Sequence, residues 1–349
     1  MDSATHSIPA RILIVRLSSI GDILLSFPLV QAIANSYPEA KIDFLTGKAH
    51  TELLQPIASR LDKILRFDKT HDRRERGRIR AILRKSDYDF ILDIHNNHRS
   101  RSMLAGLGIS VHRLQKYRVR RFLYTKCRWK SVYPHIHVAQ KYLNTFPIAL
   151  DNPDLYVKID YGLPELTENI DNFLADFPPK KPKIILFPGA RHFTKRWPLE
   201  YYAELIAVIL DQTDWQVIIG GDTEDGQYVS QLKVLENQRV HNACGQFDLL
   251  EIMLLIRICD WVVSNDSAPM HMAALFHKKQ IAIFGNTVPR FGFAPLNPKA
   301  VILENRQLRC RPCSHIGYKK CPKGHFRCLR DISVESVMKK LELSDPSTP

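Results

Sequence analysis

No apolar run in this chain reaches 18 residues, so the sequence offers no membrane-spanning helix. Residues 1–10 are polar and lack the basic-then-apolar order of a secretory signal, which points to a cytoplasmic protein. Cysteine is sparse and odd in number: seven in 349 residues do not make the framework of a secreted disulfide scaffold. Acidic charge is scarce in one region only. Residues 60–130 hold 21 Lys and Arg against 7 Asp and Glu, whereas the rest of the chain holds 29 of each sign. The whole excess of +14 is therefore local, and such a block predicts an anionic partner: nucleic acid, a phosphorylated substrate or an anionic membrane surface.

What is present is ordinary for a soluble enzyme with room for two domains: 45% apolar and 25% charged residues. Short apolar strands at residues 11–17, 42–45, 64–67 and 88–94 alternate with helical patterns over 22–36, 74–84 and from His98 or Arg99. The rhythm resumes with strands at 183–187, 215–219, 261–263 and 280–284. Helices are expected over 198–210, 224–235, 249–258, from Ala268, and over 334–343. The Pro-rich, charged stretch 147–182 reads as a connection with a helix of its own. The expected organisation is α/β: residues 1–150 as one doubly wound domain, 151–182 as linker, 183–330 as a second, and 331–349 as a helix and tail.

Polar groups collect where predicted strands end, the ligand-binding edge of open α/β sheets. The densest such stretch is Ser264-Asn265-Asp266-Ser267-Ala268-Pro269-Met270-His271. Asp266 or Ser267 would cap the following helix and Pro269 fits its first turn, but Asn265, Asp266, Ser267 and His271 together exceed what capping needs. The helix start suits a diphosphate. At Ser18-Ser19-Ile20-Gly21-Asp22, Gly21 allows close backbone approach. Asp22 reads equally as a helix-starting residue and as a carboxylate able to take a proton from an attacking hydroxyl.

At Pro188-Gly189-Ala190-Arg191-His192-Phe193-Thr194-Lys195, small residues offer amides to an anion, and Lys195 offers a point charge for phosphate. The Gly-x4-Gly-Lys spacing of a Walker loop is absent there. Gly220-Gly221-Asp222-Thr223-Glu224 places Asp222 and Glu224 either to accept ribose hydroxyls or simply to complement a helix dipole. Cys310, Cys313, Cys321 and Cys328 give a C-x2-C-x7-C-x6-C spacing that can close a structural zinc site remote from the reaction, with His315 and His325 as spare ligands.

Taken in order, these motifs resemble the heptosyltransferase family of bacterial lipopolysaccharide synthesis, glycosyltransferase family 9, over almost the whole chain. The resemblance rests on 16–22, on Pro188-Gly189-Ala190 with Lys195-Arg196-Trp197-Pro198, on 264–271 followed by Phe284-Gly285-Asn286-Thr287, and on the Cys-rich loop 310–328. It implies a GT-B fold, with two Rossmann-like domains facing each other across a cleft, the N-terminal one for acceptor and the C-terminal one for donor. It also implies an inverting, metal-independent transfer of heptose from ADP-heptose to the lipopolysaccharide inner core. Asp22 would be the base, and Lys195 would offset charge on the departing ADP. Gly189, Ala190, Arg191, Asp222, Glu224, Asn265, Asp266, Ser267 and His271 would line the donor site. Ser19, Gly21, Arg99, Arg120 and Arg121 would face a phosphorylated core or lipid A acceptor, with peripheral contact to the anionic inner membrane.

Two departures stand out. Ala190 and Arg191 occupy positions where some relatives carry Thr hydroxyls, and Ala268 replaces the usual Gly. The alternatives are the same fold using another nucleotide sugar or glycan acceptor, a nucleic-acid binder using residues 60–130, or a pseudoenzyme in polysaccharide assembly. Charge reversal at Arg120 and Arg121 to Glu is expected to weaken acceptor use more than donor binding. Steady-state KM for acceptor beside ADP titration checks it, and equal loss of both removes these arginines from acceptor recognition.

Overall fold

The computed structural model describes residues 9–151, 153–158 and 163–342. In chain order the elements begin with β1 (Arg11–Val15), α1 (Ile20–Leu24), α2 (Phe27–Ser36), β2 (Lys41–Gly47), β3 (Lys63–Phe67) and α3 (Asp72–Arg84). Next come β4 (Phe90–Asp93), α4 (His98–Leu104), β5 (Ser110–Arg113), α5 (Arg118–Lys126), α6 (Val138–Leu143) and α7 (Glu168–Leu174). They continue with β6 (Lys183–Phe187), α8 (Leu199–Gln212), β7 (Gln216–Ile219), α9 (Thr223–Val229), β8 (Val240–Asn242) and α10 (Leu249–Ile258). The last are β9 (Trp261–Asn265), α11 (Ala268–Leu275), β10 (Lys279–Phe284), β11 (Ala300–Glu304), α12 (Arg327–Arg330) and α13 (Val334–Glu342). Among the described residues no helix is long and apolar enough to cross a membrane.

The described residues form two compact units, one within 1–116 and 136–163, the other within 117–135 and 164–349. The basic segment 117–135 thus packs with the second half of the sequence. In the first unit the sheet runs β3-β2-β1-β4-β5, and in the second β11-β10-β9-β6-β7-β8. Both are wholly parallel. The continuous apolar runs explain this. Ile12, Leu13, Ile14 and Val15 are all fully buried, as strands covered on both faces must be. In each sheet the strand order reverses at the centre, between β1 and β4 and between β6 and β9. The loops leaving those strands open a crevice there.

Some local expectations change for physical reasons. The helix expected over 22–36 is two helices, because Pro28 at the start of α2 has no N–H for the preceding turn and the Ser26 hydroxyl donates to Ile23 O at 2.6 Å. The helix expected over 224–235 ends at Val229, where Ser230 Oγ donates back to Gln227 O at 2.9 Å. The strands β5 and β8, too short and polar to stand out as apolar runs, are sheet edges, as is β11, whose apolar run 300–303 was not among the expected strands. Leu343, the end expected for the last helix, and part of the expected linker lie outside the described residues.

In the second unit Trp197 is fully buried against Tyr201 and Tyr202, and its indole N–H donates to Ile332 O at 2.9 Å. That bond secures the segment leading into α13 to the core. Trp197→Phe should destabilise by about 1–3 kcal/mol, since the Ile332 carbonyl loses its partner. Trp197→Ala should cost roughly 3–5 kcal/mol by adding a cavity. Denaturant unfolding followed by near-UV circular dichroism checks the order; unchanged stability of Trp197→Phe would mean the indole bond contributes nothing.

Candidate active site

At the crevice of the first sheet, Asp22 sits in the first turn of α1, and its carboxylate is held from three sides. Arg16 Nη2 lies 2.5 Å from Oδ2, Ser19 Oγ donates to Oδ2 at 2.8 Å, and Tyr142 OH donates to Oδ1 at 3.0 Å. Arg16 leaves the end of β1 and is itself fixed by donating from Nη1 to Ile94 O at 2.7 Å, beyond β4. Its guanidinium lies 5.6 Å from the Tyr142 ring centre. Burial pushes the Asp22 carboxyl up, but Arg16 and the bonds from Ser19 and Tyr142 outweigh it and hold the pKa below the ordinary aspartate value. The same burial and the neighbouring carboxylate drive Tyr142 well above the usual phenol range, so it remains a donor. His95, buried after β4, is pushed down to about 3 by burial and by the charges of Arg16 and Lys116, which keeps its imidazole neutral.

At the crevice of the second sheet the centre is Asn265, the fully buried last residue of β9. Its Oδ1 accepts from Trp197 N at 2.9 Å, while Nδ2 donates to Phe187 O, Pro188 O and Gly189 O at 2.9–3.3 Å. The amide thus ties the loop after β6 to the loop after β9. Lys195 is brought against Asp266, with Nζ 2.8 Å from Oδ2 and donating to Asp266 O at 3.0 Å. Thr287, beyond β10, donates to the same Oδ2 at 2.5 Å. Burial raises the Asp266 pKa, yet Lys195 and Thr287 overcome it and leave the carboxyl below its ordinary value. Ser267 takes the N-cap position of α11, with Pro269 in the first turn and His271 buried one turn on.

Around this centre, a side chain at Gly189 would collide with the carboxylate of Asp225, so glycine is required for close packing there. Asp222 and Asp225 form a capping box at the start of α9. Arg196 donates from Nε to Ala190 O at 2.7 Å. Arg191, Asp222 and Glu224 are exposed.

The Cys-rich loop corrects an expectation. Among the described residues no group of three or more His, Cys, Asp or Glu side chains is arranged to hold a metal ion, so the zinc site at Cys310, Cys313, Cys321 and Cys328 is not built. All four are free thiols, and Cys313 Sγ donates to Cys310 O at 3.0 Å. Burial pushes Cys313 up to about 11 and Cys328 to about 12. The loop is organised instead by buried Arg311, which donates to Phe284 O at 3.1 Å, Thr287 O at 2.7 Å and Asn305 O at 2.6 Å, and pairs with Glu304 at 3.1 Å. Nor is the loop remote from Lys195: Tyr318 N donates to Thr194 Oγ1 at 2.8 Å, and Cys313 N to Asn286 O at 3.1 Å. It backs both turns that carry Lys195 and Thr287.

A sequence profile, Glycosyltransferase family 9 (heptosyltransferase), matches residues 76–323, well over half of the chain. The chain belongs to glycosyltransferase family 9. It is 25% identical to lipooligosaccharide heptosyltransferase 2 of Campylobacter jejuni, with 92% of this chain and 94% of that protein covered. Among solved structures it is similar to ADP-heptose lps heptosyltransferase II of E. coli, at TM-score 0.67 and 23% identity, covering 95% of this chain and 98% of that one. It is also similar to the family 9 glycosyl transferase from Veillonella parvula, at TM-score 0.77 and 18% identity, covering 96% of both. The fold is therefore GT-B and the protein is a glycosyltransferase.

In this family 9 enzyme the expected residues fall into distinct groups. Ser19 and Gly21 adjoin Asp22 in α1, whereas Arg99, in the first turn of α4, is paired with Asp72. Arg120 and Arg121 lie on α5 in the second unit; Arg120 lies over the Tyr117 ring at 5.7 Å, and burial lowers the Arg121 pKa. Sequence reading missed Arg16, Tyr142, Thr287 and Arg311. Arg16 and Thr287 stood inside quoted motifs and could have been found there. Tyr142, 120 residues from Asp22, left no local signal.

If Asp22 is the base, it stays ionised throughout the neutral range. The acid limb of kcat/KM should lie below the ordinary aspartate range, and Tyr142→Phe should move it to higher pH by removing one stabilising bond. A pH–rate profile of both proteins tests this; coincident acid limbs would show that Tyr142 does not tune Asp22.

Proposed function

We propose that this glycosyltransferase moves heptose from ADP-heptose to the inner core of a nascent lipopolysaccharide, with inversion and without a metal ion. The observation that carries the reading is the Lys195–Asp266–Thr287 cluster at the start of α11. An ammonium has three N–H donors, and Asp266 engages two, which leaves one for a phosphate oxygen. The first amides of α11 add donors that no helical carbonyl satisfies.

In the proposed reaction Asp22 takes the proton from the acceptor hydroxyl as its oxygen bonds to the anomeric carbon. The bond from that carbon to the diphosphate oxygen breaks on the opposite side, and its electron pair leaves with ADP. Lys195 offsets the negative charge that grows on the leaving diphosphate. Asn265 serves by position, holding the lysine loop, and Asp266 serves by fixing Lys195. Of the expected acceptor domain 1–150, residues 117–135 belong to the second unit; the rest would serve the acceptor and 183–330 the donor, with Ser19, Gly21 and Arg99 of the first unit and Arg120 and Arg121 of the second meeting core phosphates or lipid A. Gly189, Ala190, Arg191, Asp222, Glu224, Ser267 and His271 would border the donor. The working location would be the cytoplasmic face of the inner membrane. A second reading, another nucleotide sugar, draws support from Ala190 and exposed Arg191, which stand where some relatives carry Thr hydroxyls five and four residues before Lys195.

Asp22→Asn should lower kcat by about 10²–10⁴-fold with ADP affinity unchanged, measured by product formation and calorimetry. Turnover equal to wild type would remove Asp22 from the role of base. In a thermal-shift panel of ADP, UDP, GDP and CMP sugars, the ADP sugar should raise Tm most; a larger shift with another base would favour the second reading.

A further inference from the structure

The helix α5 wears its apolar residues on the outside. Its inward side carries Tyr124 and Thr125; the Tyr124 ring stacks on Tyr133 at 5.7 Å and meets Phe291 edge-on at 5.6 Å. Its outward stripe is Arg118, Val119, Phe122 and Lys126, at helical spacing, followed by Trp129. Val119 is 73% exposed, Phe122 59% and Trp129 59%; among the described residues these are half of the six large apolar side chains that stand exposed.

The charge around them is of one sign. Residues 117–135 contain six Lys and Arg and no Asp or Glu. The platform is not a loose loop. Arg128 donates to Pro312 O at 2.5 Å and Cys310 O at 2.9 Å, Lys126 to Tyr318 OH at 3.3 Å, and Arg290 to Tyr133 O at 3.2 Å.

We propose that this face of α5, with Val119, Phe122 and Trp129 as its apolar contacts, docks the enzyme on an anionic phospholipid bilayer. Cations and apolar side chains on one solvent-facing stripe match a surface that offers phosphates outside and hydrocarbon just beneath. Phe and Trp rings partition to that boundary, and each Lys or Arg held near it strengthens binding roughly fivefold. A nucleic acid would stack on the two rings and meet the cations, but it gives the isolated Val119 side chain no apolar partner. The docking draws its use from the proposed lipid-linked acceptor, but it rests on residues outside the reacting groups.

The test sediments full-length enzyme with sucrose-loaded vesicles of phosphatidylethanolamine and phosphatidylglycerol, beside phosphatidylcholine vesicles, at fixed salt. Wild type should bind the anionic vesicles at least tenfold more tightly. Phe122→Ser with Trp129→Ser should lose at least tenfold of that binding, and Phe122→Ser alone a smaller part. ADP affinity and transfer to a deacylated, water-soluble core acceptor should stay within twofold. Unchanged sedimentation of both variants would overturn the proposal. So would equal binding of wild type to neutral vesicles, or tighter binding to single-stranded RNA at the same salt. A parallel loss of transfer to the deacylated acceptor would overturn it too, since the face would then be an acceptor subsite. If wild type fails to transfer heptose yet binds vesicles as expected, the activity assignment falls and the docking face stands.

Discussion

The donor side of this protein depends on one buried amide. Asn265 sits at the end of β9 with no access to solvent, and its carboxamide bonds the loop after β6 at both ends. That bridge joins the loop bearing Lys195 to the end of β9 next to Asp266, in addition to the bonds that Lys195 and Thr194 make themselves. A buried amide left without partners is costly, and here every bond it makes goes to backbone. The polar density of 264–271 is thus divided between structure and chemistry: Asn265 shapes the site that Asp266 and Lys195 occupy.

The two sheets use the same device in different chemical forms. At each central strand reversal a carboxylate is paired with a cation: half-buried Asp22 with Arg16 of the same turn in the first unit, buried Asp266 with Lys195 of a neighbouring loop in the second. A hydroxyl completes each pair, Tyr142 in one and Thr287 in the other. Burying such a pair is expensive unless extra hydrogen bonds satisfy both partners, and removing one partner strands the other. Arg16 meets this in part by bonding Ile94 O, its Nε remaining without a partner, and Lys195 by bonding Asp266 O. The result in both cases is a carboxylate ionised at neutral pH and fixed in direction.

The Cys-rich loop and the basic segment 117–135 show how sequence position can mislead. Cysteine spacing pointed to metal, but the loop is ordered around the Arg311 guanidinium, which gathers carbonyls from the turn after β10. Cys313 bonds backbone, Cys328 is buried in the core, and Cys310 lies 3.7 Å from His325 Nε2. The segment 117–135, in the first half of the chain, packs through Tyr124 and Tyr133 against Phe291 and belongs to the second unit.

By itself the sequence determined the class of fold, the central strands and the motifs of family 9. Continuous apolar runs can be satisfied only by strands buried on both faces, and helix-starting patterns are local. Asp22, Lys195 and Asp266 were legible for the same reason, since each stands at the boundary between a strand and a helix. The edge strands β5 and β8 were not, because they are only four and three residues long and largely polar, although the edge strand β3 was. Tertiary structure alone decided that Arg16 and Tyr142 hold Asp22, that Asn265 is a buried tie, and that the cysteine loop is ordered around Arg311. Those outcomes depend on distances between residues far apart in the chain, which only packing fixes.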